Sequence, residues 1–257
     1  MKRRTLLWAP MALTTLLLAG CASYAKSSVS SQALAASIVG MNGYREFIPV
    51  DPLPSPKVTY YDATGKEVTK AWTQLTNKQI RALLPNIYAD ISVAKRDASG
   101  NLSYLVAKST ASKGSYRVVM DYTKYRPESV TDSVNHRELG QGRIGVGMRM
   151  TADIQTHSAH VDLSSLFALG VAASTNKLSG TLSVQIIGIS SDDVDALTIT
   201  AAKIDETSIQ KTLEGMAAIK AKIADEKTLL TPQILWVKPT SAGVAPEEVK
   251  KGLLSTP

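Results

Sequence analysis

Two long runs of alternating residues constrain the fold of this chain more than any other feature of its sequence. The first run extends from Ile144 to Thr156 and the second from Leu178 to Gly188. A two-residue period places alternate side chains on opposite faces of a β-strand. The apolar set of the first run comprises Ile144, Val146, Met148, Met150, Ala152 and Ile154. We therefore predict two long strands that each bury one face and carry polar residues on the other.

Shorter patterns predict the remaining elements. Runs of β-branched and aromatic residues between turn residues indicate a strand meander at 57–69, 87–95, 102–108 and 116–122. Thr76 begins a short helical pattern that Pro85 ends. The apolar segment 166–173 is predicted to form a helix between the two long strands, and 233–237 a last strand. The segment 126–141 is polar and shows little periodicity, which predicts irregular structure.

The strongest helical pattern begins near Asp205 and continues to residue 224. Its apolar residues recur at spacings of three and four, and they are Ile209, Leu213, Met216, Ile219 and Ile223. Such a stripe is typical of a helix that packs on a sheet. The order of elements, a meander and then strand–helix–strand–helix–strand, predicts an α+β fold. We expect one antiparallel or mixed sheet with this long amphipathic helix across one face.

The start of the chain combines a basic segment, an apolar run and small residues that lead to the only cysteine. Residues 2–4 are basic, 5–18 are mostly apolar, and Leu18-Ala19-Gly20-Cys21 follows. This pattern resembles the signal peptide and lipobox of bacterial lipoproteins. The resemblance implies cleavage between Gly20 and Cys21 and lipidation of Cys21. The apolar run is shorter than the roughly 20 residues that a membrane-spanning helix needs.

The lipoprotein resemblance also implies a location. An Asp directly after the cysteine tends to retain lipoproteins in the inner membrane, and here Ala22 and Ser23 follow. We therefore expect a lipid-anchored outer-membrane protein whose domain faces the periplasm, with inner-membrane and surface-exposed placements as alternatives. Lipidation would use the only cysteine, so the mature chain would have no thiol for a disulfide, a nucleophile or a metal.

These patterns divide the chain into four regions. Residues 1–20 are assigned to the signal peptide, and 21–56 to the lipidated cysteine with a flexible and then proline-rich tether. Residues 57–239 are expected to form a single α+β periplasmic domain with a sub-boundary at 126–141. The tail 240–257 is expected to be loose, apart from a short helix near 246–253.

The charge of the chain argues against nucleic acid as a partner. The formal net charge is +7, of which residues 2–4 carry three charges, so the mature chain retains +4. No basic run with interleaved aromatic residues accompanies this charge. The expected partners are the membrane, through the lipid anchor, and an envelope protein or further copies of the chain.

Motifs for cofactors, metals and catalysis are weak. Gly140-Gln-Gly142-Arg-Ile-Gly145 matches a dinucleotide-binding pattern but precedes a strand instead of opening a helix, so no cofactor is predicted. The acidic segment 190–195 lacks the spacing of a calcium loop, and no metal site is predicted. The residues with some metal or acid–base potential are His157, His160 and Asp162. A periplasmic hydrolase would need His157 or His160 beside Asp153 or Asp162.

The polar face of the two long strands suggests a second alternative function. Strands of about ten residues with a two-residue period are typical of membrane hairpins. Residues 144–189 could form such a hairpin in an oligomeric pore or export channel, with Arg149, Asp153 and Gln185 facing a lumen or a bound partner. An ordinary sheet covered by the helix at 205–224 explains the same alternation. The function we predict is a non-catalytic envelope component that works by binding or assembly.

Overall fold

The structure is a computed structural model that describes residues 47–105, 111–132, 134–191, 194, 197–241 and 243–255. The predicted signal peptide and the predicted lipidation site at Cys21 lie outside these residues. Twelve strands are present in this part of the chain. They are β1 (Ile48–Pro54), β2 (Lys57–Tyr61), β3 (Glu67–Ala71), β4 (Asn86–Arg96), β5 (Leu102–Tyr104), β6 (Gly114–Thr131), β7 (Glu138–Thr156), β8 (Leu178–Ile187), β9 (Ile189–Ser190), β10 (Ile199–Lys203), β11 (Leu229–Leu230) and β12 (Gln233–Pro239).

Four α-helices complete the described fold. They are α1 (Asn77–Leu83), α2 (Leu166–Ser174), α3 (Glu206–Ala224) and α4 (Pro246–Ser255). A short 3-10 helix, Trp72–Gln74, precedes α1. The chain has the α+β architecture that its sequence predicts, with a mostly antiparallel sheet and four helices.

Eight antiparallel strands form the main sheet, in the order β1-β12-β7-β6-β4-β5, with β8 beside β7 and β10 beside β8. The central pair is β6–β7, which stays in register from Gly114 opposite Thr156 to Val130 opposite Gly140. On the edge away from β6, strand β7 pairs with two different strands. Its first half pairs with β12 as far as Gly145, and its second half pairs with β8 from Gly147 onward. Two-stranded pairs β2–β3 and β9–β11 lie outside the main sheet.

One face of the main sheet, here called the helix-covered face, carries the apolar set of β7. Ile144, Val146, Met148, Met150, Ala152 and Ile154 are all buried. Helix α4 packs on β7 at Gly142, where a Cβ would overlap the Leu253 side chain. Helix α3 packs on Met148 at Gly215, and α2 joins the apolar cluster that contains Met150. The opposite side of the sheet, which carries Arg149 and Asp153, is called the polar face.

The buried side of helix α3 differs from the apolar stripe that the sequence predicts. Asp205 caps its first turn by accepting a hydrogen bond from the Ser208 amide. The buried side of the helix includes the small residues Ser208, Thr212 and Gly215 beside Ile209, Ile219 and Ile223. Leu213 is 49% exposed, so the prediction that it lies in the core is wrong. Thr212 and Gly215 therefore occupy the side of the helix that faces the sheet, and Leu213 lies beside that buried side.

The segment 126–141 forms the end of the β6–β7 hairpin, which corrects the prediction of irregular structure. Strand β4 pairs with β6 only as far as Tyr125, so β6 has β7 alone as a partner beyond that residue. Pro127 lacks an amide hydrogen and is tolerated at such an edge. At the turn, the Asp132 carboxylate accepts a hydrogen bond from the Val134 amide. Pairing between β6 and β7 therefore orders the segment 126–141, although its own sequence shows little periodicity.

Ordered elements lie beyond both predicted domain limits, a strand before residue 57 and a helix after residue 239. The proline-rich segment is extended, as predicted, but it forms β1, which pairs with β12 and buries Ile48 and Val50. Its prolines fit an edge strand because they have no amide hydrogen to pair. The tail contains α4 at the place where a short helix is predicted, near 246–253, and Val249 and Leu253 of this helix are buried. Tertiary contacts order both segments.

Candidate binding surface

The register of β7 and β8 brings the three predicted binding residues to the polar face. Arg149 lies directly opposite Gln185, and Asp153 lies opposite Thr181, four residues further along. Their environments differ. Arg149 is buried, Asp153 is partly exposed and Gln185 is exposed. Only Asp153 and Gln185 are therefore accessible to a partner.

Arg149 belongs to a buried ion pair in the middle of the polar face. Its guanidinium donates to both carboxylate oxygens of Asp121 on β6, at 2.8 and 2.7 Å. The side chains are 7% and 0% exposed. Burial raises the pKa of Asp121, while the hydrogen bonds from Arg149 and from the Trp236 indole, at 2.6 Å, act in the opposite direction. This pair joins β6, β7 and β12, so Arg149 has a structural role and the prediction that it contacts a partner is corrected.

A bulge in β12 completes the enclosure of Arg149. The register of β12 against β7 shifts between Ile234 and Trp236, which leaves Leu235 between two paired residues. The Leu235 carbonyl accepts a hydrogen bond from Arg149 at 2.9 Å. The Val50 carbonyl of β1 accepts another. Main-chain acceptors and one carboxylate therefore surround the guanidinium, as a buried charge requires.

Asp153 lies between two arginines on neighbouring strands. Arg117 of β6 donates to both oxygens of the Asp153 carboxylate, each at 2.8 Å. Arg96 of β4 donates to one of them, also at 2.8 Å. The three side chains are 28–38% exposed. The hydrogen bond that Arg117 donates to Asp153 is the main cause that raises the pKa of Arg117.

Together these side chains form a polar patch across four strands. It comprises Arg96, Arg117, Asp153, Thr181, Ser183 and Gln185. Two guanidinium groups and one carboxylate give the patch a net positive charge. Sequence analysis missed Arg96 and Arg117, because only the register of β4, β6 and β7 brings them to Asp153. The alternation in 116–122 indicates that Arg117 faces away from the apolar side, but it does not indicate its partner.

The predicted histidine group does not assemble. His157 Nε2 lies 2.9 Å from the Ser179 hydroxyl, across the ends of β7 and β8. His160 is exposed and has a left-handed backbone with φ of 60°. Asp162 accepts a hydrogen bond from the Ser164 amide, and Asp153 contacts arginines instead of a histidine. Among the described residues, no group of three or more His, Cys, Asp or Glu residues is arranged to hold a metal ion.

His157 and Ser179 border a small cavity of about 210 Å³. Lys203 and Glu206 also line it, together with Asp205, whose carboxylate caps α3. A histidine nitrogen beside a serine hydroxyl can accept the hydroxyl proton. In the described part of the chain, no carboxylate is hydrogen-bonded to the other His157 nitrogen. The pair therefore lacks the third group that orients the base in a catalytic triad.

The hairpin proposed for a pore is part of the main sheet in this structure. Strands β7 and β8 pair from Gly147 to Thr156, and α2 connects them. Their apolar side chains, including Met150 and Val184, are buried under the helices. Contact of this face with lipid would require α2 and α3 to move away. No helix in the described ranges is both long and apolar enough to span a bilayer.

The chain was compared with models of protein families, with curated proteins and with solved structures, and none of the three comparisons found a match.

Proposed function

We propose that this chain is a lipid-anchored outer-membrane protein whose periplasmic α+β domain works by binding an envelope protein, without catalysis. The observation that carries the binding role is the polar patch, in which Arg96 and Arg117 share the single carboxylate of Asp153 at the surface. A carboxylate of a partner can pair with a guanidinium at such a site, since arginine forms directional, charge-assisted hydrogen bonds with carboxylates. The expected partner surface is acidic.

The lipobox supports the location. Leu18-Ala19-Gly20-Cys21 follows a basic and apolar start, and this cysteine is the only one in the chain. Replacement of Cys21 by Ser should abolish acyl labelling and release the protein from membranes. Membrane attachment that persists in Cys21→Ser would contradict the lipid anchor.

The binding role can be tested by photo-crosslinking in cells. A photoreactive amino acid at Gln185 samples the polar patch, and the same amino acid at exposed Lys220 on α3 samples the helix-covered side. We expect one adduct of defined mass from position 185, no such adduct from position 220, and loss of the adduct in Arg96→Glu. Equal labelling at both positions, or none at position 185, would refute the polar patch as the binding surface.

A second candidate function is ester hydrolysis, which the contact between His157 and Ser179 favours. In that case Ser179 would attack the ester carbonyl while His157 accepts the hydroxyl proton. The ester C–O bond would then break, His157 would return the proton to the leaving alcohol, and water would hydrolyse the acyl-serine. Hydrolysis of a chromogenic ester that both Ser179→Ala and His157→Ala abolish would establish this activity. An equal background rate in the wild-type protein and both variants would exclude it.

A further inference from the structure

The outer side of α2 is apolar, which is unusual for a helix on the surface of a sheet. The helix has the sequence Leu-Phe-Ala-Leu-Gly-Val-Ala-Ala-Ser and contains no charged residue. Leu166, Leu169 and Ala172 face the core. On the opposite side Phe167 is 80% exposed and Val171 is 46% exposed. Surface helices usually present polar residues to water, so this side of α2 has the composition of a contact surface.

Helix α3 packs beside α2 and carries a further exposed apolar residue. Gly170 of α2 contacts Ile209 of α3, where a Cβ on the glycine would lie 3.7 Å from the isoleucine side chain. Leu213 follows Ile209 by one helical turn and is exposed. We call Phe167, Val171 and Leu213 the apolar ridge. It lies on the outside of the two helices that cover the sheet.

We infer that the apolar ridge docks on the surface of the lipid bilayer to which the chain is anchored. This inference rests on the lipid anchor in the proposed function. Cys21 and Phe47 are 26 residues apart in the sequence. Even fully extended, such a segment spans at most about 90 Å. The domain then stays near the membrane at an effective concentration on the order of a millimolar, so weak surface contacts suffice to hold it there.

The charged residues beside Leu213 leave the ridge without a net charge of its own. Lys220 and Glu206 each lie seven residues, or two helical turns, from Leu213 on the same side of α3, and both are exposed. The Lys220 side chain can place its ammonium group among phosphate headgroups while the adjacent apolar residue enters the interface. Lys211 and Glu214 point to other sides of the helix. The apolar contact is therefore the main component of the docking.

Docking through the ridge would orient the whole domain. Helices α2 and α3 lie on the helix-covered face, and the polar patch lies on the opposite face of the same sheet. When the helices rest on the membrane, the polar patch points away from it. The membrane contact and the binding of a partner are therefore compatible in one orientation.

Quenching by brominated lipids tests this docking. The lipidated Phe167→Trp protein is reconstituted in vesicles of phosphatidylethanolamine and phosphatidylglycerol, with and without brominated acyl chains. The tryptophans present in the described domain, Trp72 and Trp236, are buried and contribute little to the quenching. The matched control is Gln155→Trp, at an exposed position of β7 that shares the polar face with Asp153 and so points away from the docked side. We expect a blue-shifted emission from Trp at position 167 that brominated lipid quenches at least twofold, and no quenching in the control.

The other outcomes contradict the docking in distinguishable ways. Acylated protein without quenching at position 167, or with equal quenching at both positions, overturns the docking and leaves the lipid anchor intact. A blue shift that increases with protein concentration, without quenching, assigns the ridge to contact between copies of the chain and also overturns the docking. If the mass of the intact protein shows no acyl groups, the lipid anchor is refuted, and the docking that rests on it is refuted as well.

Discussion

At the scale of single residues, the polar face carries two kinds of charged side chain, those that are buried and those that remain accessible to solvent. Arg149 and Asp121 are buried and held by hydrogen bonds from or to β1, β6, β7 and β12. Asp153 has two arginine partners but stays partly exposed. Both Arg149 and Asp153 fall on the same face of β7, as the alternation predicts. Strand β12 encloses Arg149 but not Asp153, and this explains why only Arg149 is buried.

We predict that Asp121→Asn destabilises the fold much more than Asp153→Asn. Loss of the Asp121 charge leaves the Arg149 guanidinium buried without a counter-charge, which costs about 3–5 kcal/mol. Loss of the Asp153 charge affects partly exposed ion pairs and should cost about 1 kcal/mol or less. Urea unfolding followed by circular dichroism measures both. Equal losses would mean that Arg149 and Asp121 are not enclosed as described.

Tyr104 should make the stability of the domain depend on alkaline pH. Burial raises the pKa of Tyr104 to about 12, although nearby Arg117 and Arg149 oppose the shift. An unfolded tyrosine has a pKa near 10. The folded state therefore binds this proton more tightly, and the contribution of Tyr104 is complete below pH ~10 and is lost as the pH rises through ~12.

The measurement for Tyr104 is the free energy of unfolding of wild-type protein and Tyr104→Phe between pH 8 and 12. The stability of the wild type relative to the variant should fall by up to about 2 kcal/mol over the upper half of this range. The tyrosinate absorbance of the variant should also lack one group that titrates near pH 12 in the wild type. A difference between the two proteins that stays constant with pH would refute the raised pKa.

At the scale of elements, long periodic segments were predictable and segments ordered by a partner were not. The alternation of β7 and β8 and the capped start of α3 at Asp205 are local patterns, and the structure contains both. The hairpin end at 126–141 and strand β1 have weak patterns of their own, and they are ordered by pairing with β7 and β12. The short helix predicted near 246–253 is present as α4, but its packing on Gly140 and Gly142 was not predictable.

We predict that Ile219→Ala and Leu213→Ala differ strongly in their effect on stability. Ile219 is fully buried between α3 and the sheet, so its truncation should cost about 2–5 kcal/mol. Leu213 is half exposed, and its truncation should cost less than about 1 kcal/mol. Thermal and urea unfolding of the two variants checks this. A larger loss from Leu213→Ala would return that residue to the core and remove it from the apolar ridge.

At the scale of the whole molecule, the two faces of one sheet are covered differently. All of the buried apolar set of β7 lies under helices, whereas the polar face remains partly open at the polar patch. This arrangement supports an anchored binding domain. It also opposes the alternative in which residues 144–189 form a membrane hairpin, because that hairpin would have to expose the same apolar residues to lipid.

We expect the protein to have the native mass of a monomer, both as the unlipidated mature chain and as the lipidated chain in detergent. The helix-covered face needs no second copy to bury it. Light scattering coupled to size exclusion, with the detergent contribution subtracted, measures both masses. A discrete ring that occurs only with the lipidated chain would contradict this expectation and favour the pore alternative.

The sequence by itself determined the α+β class, the two long strands, the capped long helix and the resemblance to lipoproteins at the start of the chain. These features depend on residues that are close in the chain, where periodicity and capping act locally. The tertiary structure decided which charges are buried, which arginines meet Asp153, which side of α3 faces the sheet, and which ends of the domain are ordered. These features depend on strand register and on packing between distant segments. Neither is encoded in the residues of any single element.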